Sequence, residues 1–185
     1  MAAMSEAAFR DIYEHHYDAI ARFCLRRLPA VDAYDAVSEV FLVVWRRMDH
    51  LPSPDERVPW LYGIANNTVR NARRTSRRRF RLASRLSDEP RYPAPGPEVH
   101  VIRREEDQRL IATIAALAPA DQEVILLRAY EELSIQQISL VLGCSVEAAR
   151  KRLQRALARL RAAVDSARPA NSGVHPRAIP EGGER

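Results

Sequence analysis

Between Val146 and Arg161 the chain places six cationic residues, Arg150, Lys151, Arg152, Arg155, Arg159 and Arg161, against the single acid Glu147. With Gln154 among them, these are the side chains that pair with phosphates and hydrogen-bond base edges in a DNA major groove. Ala149, Leu153, Ala156, Leu157 and Leu160 recur at helical intervals and predict an inward face, leaving Arg150, Lys151, Gln154, Arg155 and Arg159 on the others. The residues just before them, Leu133 to Ser145, complete a helix-turn-helix. Ile135, Ile138 and Leu142 have helical spacing, Ser139 is small enough for a second helix to approach, Gly143 supplies a positive φ, and Ser145 caps the next helix. A solvated basic helix is the plain alternative. The small-residue turn placed directly ahead of the basic run favours DNA binding.

A second basic run holds eight arginines and no acid from Arg70 to Arg85. It continues a helix that the sequence predicts to open with Pro59 in its first turn. Trp60, Leu61, Ile64, Ala65 and Thr68 would bury one side, and Asn67, Arg70, Asn71 and Arg74 would project together at i, i+3, i+4 and i+7. Amides flanked by guanidinium groups can read base edges while the arginines hold phosphates. A frayed basic helix end is the competing reading.

No catalytic constellation accompanies these clusters. The chain has no glycine-rich phosphate loop and no paired-cysteine motif, and its histidines, His15, His16, His50, His100 and His175, lack metal-ligand spacing. The expectation is a protein that is not an enzyme and takes no metal or cofactor. His15 and His16 read as one exposed and one packed residue of a helix. Cys24 and Cys144 read as small buried hydrophobes in a reducing compartment.

The elements that position the basic clusters follow from periodicity. Phe9, Ile12, Tyr13, His16, Ile20 and Phe23 make one stripe of a first helix ending near Pro29. A second helix, from about Asp32 to Met48, carries Val37, Val40, Phe41, Val44 and Met48 on one stripe, while Leu42, Val43 and Trp45 make it apolar nearly all round. The run Val40 to Trp45 alone could be a buried strand. The periodicity outside it and the early Asp32 and Asp35 favour helix. Such a helix needs neighbours on more than one side, and Asp32, Asp35 and Glu39, with no cation before Arg46, give it an acidic surface. A protein partner fits; contact with the C-terminal half is the alternative.

The 185 residues carry a formal charge of +5 and a pI near 9.7, which favours a polyanionic partner. Only Lys151 of the 29 cations is lysine, so arginine richness is discounted as a composition bias. The absence of a leader pattern and of any apolar run of membrane-spanning length predicts a soluble, unexported chain without membrane contact. Ser87 to Glu98 holds four prolines and a glycine and reads as an extended linker. The predicted organisation is all-α: a domain at 1–86, a Pro-rich linker at 87–100, a helix-turn-helix domain at 101–166, and a disordered tail at 167–185. The two domains are expected to fold separately on a tether.

In this order the pieces resemble a sigma factor of the extracytoplasmic function (ECF) group of the bacterial sigma-70 family, from roughly Phe9 to Arg161. Asp32-Ala-Tyr-Asp-Ala-Val-Ser-Glu-Val-Phe-Leu-Val-Val-Trp45 is similar to the family's acidic polymerase-binding helix. Trp60-Leu-Tyr-Gly-Ile-Ala-Asn-Asn67 is similar to its −10 reading helix. Leu117-Ala-Pro-Ala-Asp-Gln-Glu-Val-Ile-Leu-Leu-Arg128 with the helix-turn-helix is similar to its −35 module. The departures are Ser38 where the family often has Gln, Gln137 where it has an acid, and Ala148-Ala149 where it has Thr-Val; they bear on promoter sequence and polymerase affinity rather than class.

The resemblance implies that Asp32, Asp35, Glu39, Leu42 and Val43 dock on core RNA polymerase. It implies that Ser145, Arg150, Lys151, Gln154 and Arg155 meet the −35 duplex. Asn67, Asn71 and the loop from Asp49 to Pro59 would hold unstacked −10 bases, with Arg70, Arg73 and Arg74 on phosphates. It also implies promoter DNA and an anti-sigma protein as partners, and a cytoplasmic, nucleoid-associated location. A dimeric helix-turn-helix repressor or activator is the competing class. It accounts for the C-terminal half but not for the acidic helix or the second basic one.

Overall fold

The computed structural model describes residues 2–83 and 105–167, and all its regular structure among them is helical. Three helices form the first bundle: α1 (Ala2–Leu25), α2 (Ala30–Arg46) and α3 (Pro54–Ala83), with a short 3-10 turn at Met48–His50. Four more form the second: α4 (Glu105–Ala116), α5 (Pro119–Ala129), α6 (Ile135–Leu142) and α7 (Val146–Ala167). The expected linker and tail lie outside the described residues. No described helix is long and apolar enough to cross a membrane.

The predicted stripes become the first core. Ile12, Ile20 and Phe23 of α1, Val37, Val40, Phe41 and Val44 of α2, and Leu61, Ile64, Ala65 and Val69 of α3 are buried together. Val40 to Trp45 is helical throughout, because the packing stripe extends beyond the apolar run on both sides. An aromatic cluster closes the open end of the bundle: Phe9 meets Trp45 edge-on at 5.1 Å between ring centroids, and Tyr13 lies 4.7 Å from Phe41. Cys24 is fully buried, and burial pushes its thiol pKa up to about 12; Cys144 is only partly covered.

Two expectations change, one about an element boundary and one about burial. α3 begins at Pro54, five residues before Pro59, so the loop expected from Asp49 to Pro59 shrinks to Leu51–Ser53 after the 3-10 turn. Local chemistry explains the early start. Pro54 suits the first helical position, Asp55 and Glu56 complement the helix N-terminus, and Ser53 donates a hydrogen bond from Oγ to the Glu56 carboxylate at 3.0 Å. In the second bundle Leu157, expected to turn inward, is 48% exposed; Ala149 and Ala156 are buried, with Leu153 and Leu160 packed beside them.

The two bundles are not held apart. α6 packs along α3, where a β-carbon added at Gly63 would sit 4.0 Å from the Val141 backbone, an ordinary van der Waals contact. Buried residues of both halves therefore form one continuous cluster.

Candidate nucleic-acid interface

The geometry of the helix-turn-helix is set by three short-range devices. Ser134 and Gln137 form a reciprocal capping box at the start of α6: the Gln137 N–H donates to Ser134 Oγ at 3.2 Å, and the Ser134 N–H donates to Gln137 Oε1 at 2.9 Å. Gly143 ends α6 at φ 62°, in the left-handed region, and the Cys144 N–H returns to the Ser139 carbonyl at 3.0 Å. Ser145 then opens α7, its Oγ accepting from the Ala148 N–H at 3.2 Å. The Ser145 hydroxyl predicted to touch DNA is thus the helix cap, with its own proton still free to donate.

α7 presents Arg150, Lys151, Gln154 and Arg155 to solvent as predicted. Glu147, on the same exposed turn, receives Arg150 Nη1 at 2.9 Å and Lys151 Nζ at 3.5 Å. Exposed pairs of this kind are weak, so a phosphate or base edge can replace the carboxylate. Arg155 Nε donates to the Lys151 carbonyl at 3.2 Å, while Arg159 is committed to the second bundle through Asp121 at 2.6 Å.

On α3, Asn67, Arg70, Asn71 and Arg74 are all exposed, as their spacing predicts. Arg73 is not with them. It is half-buried and donates Nε and Nη2 to the Arg27 carbonyl at 3.1 and 2.9 Å, which removes it from the phosphate-facing set in this conformation. Burial lowers its pKa from the ordinary value, opposed by Glu123 and reinforced by Arg27 and Arg77. Asn66, one residue from the expected reader Asn67, is 2% exposed and its Oδ1 has no hydrogen-bond partner.

α2 carries the remaining candidates. Asp35, Glu39 and Leu42 are exposed, Asp32 is half-buried, and Val43 packs partly on the core. Val31, Tyr34, Asp35, Ser38, Leu42 and Trp45 form one open stripe, with Leu42 46% and Trp45 45% exposed. α2 packs on α1, α3 and the 3-10 turn, and its surplus apolar face is not turned into the second bundle.

A set of residues that the sequence reading missed lies where the bundles meet. Arg27 has no exposed side-chain surface and donates to Glu123 from Nε and Nη2 at 3.1–3.3 Å, and from Nη1 to Glu131 and the Phe23 carbonyl at 3.1 Å each. Its guanidinium also stacks 3.6 Å above the Phe23 ring. Arg26 pairs with the other oxygen of Glu131 and lies over Tyr130. These partners are about a hundred residues apart in the chain, and no local pattern marks them.

Known proteins carry both halves of this arrangement. Residues 12–79 match the family Sigma-70 region 2, and residues 107–160 match Sigma-70, region 4. The RNA polymerase sigma factor NccH of Alcaligenes xylosoxydans xylosoxydans is 31% identical over 163 residues, covering 86% of this chain and 88% of that one. The RNA polymerase sigma factor CnrH of Cupriavidus metallidurans is 30% identical over 89% of this chain and 91% of its own. A solved structure of CnrH, in complex with the cytosolic domain of CnrY, superposes with a TM-score of 0.61 at 29% identity, covering 89% of this chain and 95% of that one. The ECF RNA polymerase sigma-E factor of Escherichia coli is 27% identical over 82% of this chain and 83% of its own. With an all-helical fold whose two halves match regions 2 and 4 in order, the chain belongs to the ECF group of the sigma-70 family, the factors that direct RNA polymerase to initiate at specific promoters.

Proposed function

We propose that this sigma factor divides its work among three surfaces. The stripe of α2 around Asp35, Glu39, Leu42 and Trp45 docks on core RNA polymerase. Arg150, Lys151, Gln154 and Arg155 of α7 enter the major groove of the −35 element, oriented by the Ser145 cap. Asn67 and Asn71 of α3 hold unstacked bases of the −10 element while Arg70 and Arg74 hold its phosphates. Residues 1–86 form the polymerase-binding and −10 domain and 101–166 the −35 domain, joined by the linker at 87–100. Capturing a base outside the stack offsets an unstacking cost of about a few kcal/mol and so helps open the duplex. The chain performs no covalent chemistry in this scheme and works in the cytoplasm at the nucleoid. The similarity to CnrH, solved with the cytosolic domain of CnrY, supports a protein antagonist of the anti-sigma kind for this chain too.

The observation that carries the reading is the exposed stripe of α2. A helix that leaves Leu42 and Trp45 half-exposed beside Asp35 and Glu39 has a surface ready made for a protein partner, and its acids favour a basic or mixed one. Reversing Asp35 and Glu39 to Lys is expected to weaken core polymerase binding with little change in thermal unfolding, because both charges are exposed. A pull-down in which the doubly reversed chain keeps its polymerase affinity would remove α2 from the docking surface. Tight, polymerase-free binding of a dimer to one operator would favour the repressor class.

A further inference from the structure

We propose that Glu147, the one acid between Val146 and Arg161, is a base-reading residue that selects cytosine at one position of the −35 element. The inference rests on the proposed seating of α7 in the major groove, and adds a determinant that the basic face alone does not supply.

Position puts Glu147 at the DNA-facing end. It is the second residue of α7, directly behind the Ser145 cap, and helices of this motif meet base edges with their N-terminal residues. Arg150, Lys151 and Gln154 follow it at i+3, i+4 and i+7, so the four side chains lie on one exposed stripe. Ala149 and Ala156 are buried on the far side of the helix, with Leu153 packed beside them. A helix seated so that Arg150 and Gln154 reach the groove carries Glu147 in with them.

Charge makes that placement costly unless the carboxylate finds a donor. In the free chain Glu147 Oε2 accepts from Arg150 Nη1 at 2.9 Å, and Lys151 Nζ lies 3.5 Å from Oε1. The Glu147 side chain is 58% exposed, and pairs in such a setting yield readily to DNA. As Arg150 and Lys151 turn to phosphates and bases, the carboxylate is left in a groove walled by phosphates, and an ionised carboxylate can only accept. The donors that the bases present in a major groove are the amino groups at cytosine N4 and adenine N6. Adenine sets its N7 acceptor beside N6, which repels a carboxylate, whereas cytosine presents its amino group without a neighbouring acceptor. Guanine and thymine meet Glu147 with acceptors alone. The residue therefore selects by exclusion as much as by attraction.

An acid in the first turn also steadies a helix N-terminus, and a Glu four residues ahead of a Lys is a weakly stabilising surface pair. Neither role depends on promoter sequence, and the experiment is built on that difference. Core polymerase carrying the full chain is given a promoter library randomised across the −35 element, and the templates that yield transcripts are sequenced. Wild type is expected to enrich cytosine at one position by about tenfold over the other bases, the scale of one specific base contact. Glu147→Ala is expected to lose that enrichment and to keep the preferences at the remaining positions. Glu147→Gln, whose amide can pair with adenine N6 and N7, is expected to admit adenine where wild type takes cytosine. Cytosine enrichment retained by both variants overturns the proposal. So does a gain or loss that is uniform across the library, which would leave Glu147 with its helix-end and surface-pair roles alone. A wild-type holoenzyme that initiates without any −35 preference counts instead against the seating of α7, and one that does not initiate counts against the proposed division of work as a whole.

Discussion

Arg27 shows what residue types alone can and cannot reveal. An arginine directly after Arg26 and ahead of Pro29 reads as a solvated helix end; its contacts with Phe23 are local, but the carboxylates that bury it come from Glu123 and Glu131. The exposure of Asn67, Arg70, Asn71 and Arg74 was legible because helical spacing alone decides which way they point. Arg73 turns inward for the same reason that Arg27 was missed: its partner is a carbonyl distant in the chain, that of Arg27. The histidine pair divided as its helical phase predicts. His15 is exposed and bonds the Asp11 carbonyl at 2.7 Å, whereas His16 is half-buried and its pKa falls below the usual 6.5, first through burial and then through the charges of His15 and Arg57, with Asp11 opposing. Because the unfolded chain then takes up this proton at a higher pH than the folded one, His16 weakens the fold as pH drops through 6.5 and has no such effect above it. His16→Gln should therefore flatten the fall in melting temperature between about pH 7.5 and about pH 5.5. Parallel melting curves for wild type and variant across that range would show that His16 titrates as it does in the unfolded chain.

At the level of elements, periodicity located every helix of the first bundle, but local capping set the ends. The early start of α3 depends on Pro54, Asp55 and Glu56, whereas attention to the apolar stripe led to Pro59. The turn of the helix-turn-helix was readable in full because Gly143 and Ser145 each have one conformational job. The Ser134–Gln137 box was open to the same logic, being a Ser and a Gln three residues apart ahead of an apolar run. α7 and α3 should differ in the kind of loss that their mutations produce. Arg150→Ala or Arg155→Ala should cost about 1–3 kcal/mol at particular −35 base pairs. Arg70→Ala or Arg74→Ala should weaken all promoters alike and reduce the salt slope by about one unit each. Transcription from a panel of single-base promoter variants at two salt concentrations separates the two patterns, and uniform losses for Arg150 and Arg155 would demote them to phosphate contacts.

For the whole molecule, a Pro-rich linker suggests two modules that fold and unfold independently, whereas the buried cluster shared across α3 and α6 favours a single cooperative unit. Linker composition reports how a chain can move, and carries no information about which surfaces meet when it does not. With Arg27 in place, the free protein should unfold in one cooperative calorimetric transition. Arg27→Met should resolve it into two, since removing one partner of a buried ion pair costs about 3–5 kcal/mol and separation of the modules is the way for Glu123 and Glu131 to regain water. Two transitions in the wild type, unchanged by the substitution, would restore the picture of independent modules. The arginine also bears on heredity. Domains joined by a linker look freely exchangeable, so that one −35 reader could be traded for another between related factors by recombination or by an engineer. Here an incoming module that lacked acids at the positions of Glu123 and Glu131 would leave Arg27 facing an uncharged neighbour. Such a hybrid would inherit a new promoter preference together with a different resting shape, and the two traits cannot be reassorted unless that handful of charges travels with the helix that reads DNA.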